Sequence, residues 1–142
     1  MKKVVPIPML DACGSIEAGI YLAQRSLAEG FENKTGAPLP QRMYQRTMEL
    51  VRDSKPITYK GQGIDLLPEW RQAQKEIVET ISSNVLASWG DRTGFLDMTV
   101  FAGGGSVWFG NILDNVFSNT MFAGHGVFAN AVGYLLMATG MK

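Results

Sequence analysis

A chain of 142 residues has the size of one domain and can bury a substantial core. Its 13 Lys and Arg against 13 Asp and Glu leave no net charge, which excludes a globally basic surface for nucleic acid and an acidic disordered tail. With one cysteine, Cys13, and one histidine, His125, neither a disulfide framework nor a His/Cys metal cluster can form within one chain, and a reducing, cytoplasmic setting is expected.

Residues 3–7 are β-branched and stopped by Pro6 and Pro8, so they read as an edge strand or extended lead-in; the prolines come too soon for a signal peptide. Residues 11–15 read as a loop ending in an N-cap at Ser15, with Glu17 in the first helical turn. Ile16, Ile20, Ala23, Leu27 and Phe31 then recur every three or four residues, the spacing of a helix with one apolar stripe. Residues 33–38 break it. A second helix is expected over about 40–53, with Met43, Leu50 and Val51 inward and Arg42, Gln45, Arg46 and Glu49 on the polar side. Residues 57–60 and 63–66 read as a hairpin around Gly61 and Gln62. Pro68 opens the longest helix, in which Trp70, Ala73, Ile77, Ile81, Val85 and Trp89 keep the same spacing. A loop over 90–94 returns the chain to a strand at 98–102.

That strand runs into Gly103, Gly104 and Gly105, after which Val107, Phe109, Ile112, Leu113, Val116 and Phe117 resume a helical period. Strand, glycine turn and helix follow one another. A β-carbon at these positions would exclude positive φ and hold a ligand away from the main chain, and the helix start supplies unpaired N–H groups at a positive dipole end. The same spacing also fits a tight connection with no ligand. No Lys-Ser/Thr pair follows the glycines and the G-x-G-x-x-G spacing is absent, so neither a P-loop nor a dinucleotide fingerprint is present. Trp108 is placed either to stack on a purine or to fill core, and Arg46 with Glu49 either to hold ribose hydroxyls or to form a solvated pair. His125 reads as a surface histidine in a loop and Cys13 as a small buried filler. Residues 120–122 suit a short strand, and 128–138 an apolar helix too short to span a bilayer. No close carboxylate pair marks a reacting centre. The residues describe a place to bind, on an α/β chain with few strands and many helices that looks like part of a layered sheet.

Residues 97–106, Asp-Met-Thr-Val-Phe-Ala-Gly-Gly-Gly-Ser, followed by Phe128-Ala129-Asn130-Ala131-Val132-Gly133-Tyr134, resemble the C-terminal part of the bacterial, plasmid and phage actin-like ATPases, the ParM/StbA group. Residues 14–20 look like the segment after that group's second phosphate loop, and 59–66 like its small hairpin before a long helix. The resemblance implies one domain over 1–142, the C-terminal half of an actin-like (ribonuclease H-like) fold, with 32–66 as a helical and hairpin subdomain. It implies ATP or ADP with adenosine against Gly103, Gly104 and Gly105, flanked by Ser106 and Trp108. Gly14 would approach ribose and phosphates, and Gln45, Arg46 and Glu49 would line the opposite wall. The implied partners are further actin-like protomers, an N-terminal half carried as a separate chain, and DNA only through an adaptor; no membrane is implied. Residues 11–14, Asp-Ala-Cys-Gly, have the wrong spacing for either phosphate loop, so hydrolysis and Mg²⁺ would belong to a complete protein. The rival expectation is a non-catalytic module of the same fold that caps or modulates a filament.

Overall fold

Helix α1 (Ile20–Thr35) opens the ordered core of the computed structural model, which describes residues 9–15, 18–117 and 119–124 together with 132, 135, 136, 138 and 139. The predicted strand at 3–7, His125 and most of the terminal helix lie outside the described residues. The helix begins at Gly19, without a side-chain cap, and Ser15 stands exposed in the loop before it. Its buried face is Ala23, Leu27, Gly30 and Phe31, with Ala18 and Ile20 half-buried against the core ahead of them. Its other end follows local rules. Gly36 adopts the left-handed conformation (φ 72°) and donates to the Glu32 carbonyl at 2.8 Å.

A single 3₁₀ turn (Gln41–Met43) leads into α2 (Tyr44–Arg52), whose deepest residues are Thr47, Met48 and Val51; Met43 and Leu50, expected inward, are only half-buried. The hairpin pairs β1 (Ile57–Tyr59) with β2 (Gln62–Ile64) in antiparallel register, Ile57 opposite Ile64. Its turn is Lys60-Gly61 rather than Gly61-Gln62. Positive φ at both, 48° and 78°, is what a two-residue turn matched to strand twist requires, and it frees Gln62 to pair with Tyr59.

The long helix α3 (Leu67–Trp89) starts where Asp65 Oδ1 accepts the Leu67 N–H at 3.0 Å, with Pro68 in its first turn. Trp70, Ala73, Ile77 and Val78 are buried, whereas Ile81, Val85 and Trp89 stay half-exposed towards the far end. It packs along α1, where the Glu69 side chain lies over Gly30. A β-carbon at Gly30 would lie 2.6 Å from Glu69 Cγ. The space it leaves lets Glu69 cross α1 to Lys34 at 2.7 Å, while Lys34 also donates to the Asp65 carbonyl at 2.6 Å. Gly30→Ala is therefore expected to lower the urea midpoint despite alanine's helix propensity. In a Glu69→Ala background the same change should raise stability by up to about 1 kcal/mol, a reversal of sign that separates the clash from the propensity.

A 3₁₀ segment (Gly90–Phe95) carries the chain to β3 (Thr99–Phe101), which pairs in parallel with β4 (Thr120–Phe122), Val100 opposite Met121. The crossover between them is α4 (Gly104–Leu113). Phe101 meets Phe117 and Phe122 at centroid distances of 5.9 and 5.5 Å. On α4, Phe109 stacks on Trp70 at 6.1 Å and Trp108 meets the same indole edge-on at 5.9 Å. Trp70 thus ties α3 to α4 as Gly30 ties α1 to α3. Among the described residues the strands form two two-stranded sheets, as expected of part of a larger layered sheet, and no helix is long and apolar enough to cross a membrane.

Candidate functional site

The bend between β3 and α4 uses its glycines for different reasons. Gly103 is buried with φ 88° and ψ 179°, a region essentially closed to any residue with a β-carbon, so the backbone alone demands it. Ser106 closes the turn, its N–H and hydroxyl both donating to the Gly103 carbonyl at 3.2 and 2.6 Å. The N–H groups that precede Ser106 sit at the positive end of the α4 dipole. Gly105 differs from Gly103. It lies exposed within the first turn of α4, and among the described residues a β-carbon there would meet nothing within 4 Å. Neither φ nor packing requires glycine at this helical position, where it costs up to about 1 kcal/mol relative to alanine. Its bare main chain is a surface that no described residue covers.

On α2, Gln45 Nε2 donates to Glu49 Oε1 at 3.1 Å, and Arg46 reaches Glu49 at 4.0 Å. Such exposed pairs add little to stability, so these groups remain available to a ligand. Residues 45, 49 and 52 share one helical stripe, and Arg52 at its foot places its guanidinium 5.1 Å from the Trp108 ring centroid. The Trp108 carbonyl accepts from Gln74 Nε2 at 3.3 Å, so α2, α3 and α4 meet at this residue, one turn beyond the bend. Sequence reading missed Arg52 and Gln74. Spacing from Gln45 and Glu49 was a usable signal for Arg52; nothing local singled out Gln74.

Gly14 is placed elsewhere. The 3₁₀ turn Leu10–Ala12 is tied to the far end of α3, where Trp89 Nε1 donates to the Ala12 carbonyl at 3.2 Å and Arg92 pairs with Asp11. The hydrogen bond from Arg92 lowers the Asp11 carboxyl below its ordinary pKa. Cys13, expected to be a buried filler, is exposed, its thiol directed to the Met9 carbonyl at 3.3 Å, because this turn lies on the surface instead of in the core. Gly14 and Ser15 line a cleft of about 430 Å³ with Asn84, Val85 and Ser88. Among the described residues no hydrogen bond links Gly14 to the bend; the packed rings of Trp89, Phe117 and Phe101 lie between, at centroid steps of 5.9 Å each. The bend itself lines none of the four principal clefts among the described residues. No group of three or more His, Cys, Asp or Glu among the described residues is arranged to hold a metal ion.

Comparison with known proteins matches residues 1–115 to the family described as archaeal actin homologue MreB-like, C-terminal. No curated protein matches the chain. Among solved structures, the archaeal actin homologue Ta0583 superposes with a TM-score of 0.79 at 18% identity, over 94% of this chain and 41% of that one. Ta0583 has also been solved in complex with ADP, with a TM-score of 0.75 at 19% identity, over 93% of this chain and 42% of that one. A non-polymerisable quadruple mutant of pCBH ParM gives 0.76 at 24% identity, over 84% of this chain and 35% of that one. A 15-stranded ParM filament from Clostridium botulinum gives 0.71 at 26% identity, over 83% and 34% respectively. The chain spans well under half the length of these structures.

Proposed function

Because the chain belongs to the archaeal MreB-like actin homologues and matches their C-terminal domain, we propose that it forms the adenosine-facing wall of an actin-like filament protein. Adenine and ribose of ATP or ADP lie along Gly103, Gly104 and Gly105, beside Ser106 and Trp108. Gln45, Arg46 and Glu49, on the helical subdomain over about 32–66, form the opposite wall, and Gly14 serves the phosphate side. The observation that carries this reading is Gly105, a helical glycine that neither φ nor packing among the described residues explains. The ADP complex of Ta0583, which shares the fold, supports adenine nucleotide as the ligand class. The likeness to a ParM filament supports self-association; plasmid or phage DNA segregation, with DNA reached through an adaptor, is the role we propose for such a filament. Residues 11–14 do not have the spacing of either phosphate loop, so in this reading Mg²⁺ and hydrolysis belong to a complete actin-like protein.

Titration of the 142-residue chain with adenosine, ADP and ATP tests the reading. The expected result is weak saturable binding of all three, insensitive to Mg²⁺, with guanosine weaker than adenosine. Absence of binding by any of them overturns it and favours a filament-capping module without nucleotide.

A further inference from the structure

We propose that Arg52 and Trp108 are positioning residues that set the separation of the two walls between which the nucleoside lies, an inference that rests on the adenosine reading. Both helices that meet at this contact are seated in the core, α2 through Met48 and Val51 and α4 through Phe109 and Leu113. Trp108 is fixed in the core side of the molecule: its ring edge abuts Trp70 at 5.9 Å, and its carbonyl is taken by Gln74 at 3.3 Å. Arg52 is half-exposed, with only the neighbouring Asp53 as a further charged partner, at 3.5 Å among the described residues. Its guanidinium over the indole joins the C-terminal end of α2, seated on the buried Met48 and Val51, to the first turns of α4.

The position of this joint gives it consequence. Trp108 lies one turn beyond the bend, and Arg52 lies on the stripe that carries Gln45 and Glu49. Any change in how α2 sits on Trp108 alters the distance from that stripe to the bare backbone at Gly105. A flat base inserted between two walls is sensitive to that distance, because stacking and dispersion fall steeply once a gap opens. The ring of Trp108 thereby acts on a nucleoside through Arg52 instead of serving as a free stacking plate.

The test measures adenosine affinity and thermal midpoint for Arg52→Met, which keeps an unbranched stem without the cation, and for Arg52→Lys, which keeps a cation. Arg52→Met should weaken adenosine binding about 2- to 5-fold with an unchanged midpoint, and Arg52→Lys should restore most of the loss. A cycle with Trp108→Phe should be non-additive, since both changes act on one contact. Wild-type affinity in Arg52→Met, failure of lysine to rescue, or strict additivity overturns the joint while leaving the adenosine reading intact. Absence of adenosine binding by the unaltered chain overturns both.

Discussion

Replacing Trp70 by alanine is expected to remove about 3–5 kcal/mol of stability, a large share of what a domain of this size holds. The side chain is 3% exposed and sits where the first turns of α3 face α4, stacked on Phe109 and edge-on to Trp108. Losing it deletes the transfer energy of a large aromatic and leaves a cavity between two helices that no neighbouring side chain can fill without leaving its rotamer. Urea unfolding followed by circular dichroism should show the midpoint fall with the slope retained. A loss below about 1 kcal/mol would mean that the core is centred elsewhere. Because Trp108 is one turn from the bend, Trp70→Ala should also abolish adenosine binding, whereas Trp70→Phe should retain part of both properties.

The second large effect runs the other way, on binding without folding. Gly105→Val is expected to leave the thermal midpoint unchanged or slightly raised, because the new side chain enters open space and valine is the better helix residue. Adenosine affinity should fall at least about 10-fold, since the branched side chain covers the main chain against which the nucleoside is proposed to lie. Unaltered affinity in this variant would reduce the bend to a connector. Gly103→Val is the contrasting control. Its φ of 88° admits no β-carbon without strain, so that change should impair folding as well as binding, and only Gly105 separates the two.

Much of this was legible from residue order because the signals are local. The switch from strand to helical spacing around the three glycines predicted β3, the bend and α4, and the stripe ending at Phe31 predicted α1 apart from its start. Gly36 and Pro68 marked a helix end and a helix beginning for reasons contained in their own backbones. The misplacements came from questions that no window of sequence answers. Whether Cys13 is covered depends on how the 3₁₀ turn is pinned by Trp89 and Arg92.

The candidate site divides in the same way. Three consecutive glycines and their place between strand and helix are properties of the sequence, readable without coordinates. That one of them is held by a backbone angle, and another by nothing among the described residues, emerges only when φ and the surrounding atoms are known. Likewise the spacing of Gln45, Glu49 and Arg52 belongs to α2 alone, but the indole beneath Arg52 was brought there by the packing of α4 against α3. Periodicity and capping act over a turn or two of chain, whereas the meeting of distant side chains depends on the angles at which helices cross, which are decided by packing around Gly30 and Trp70.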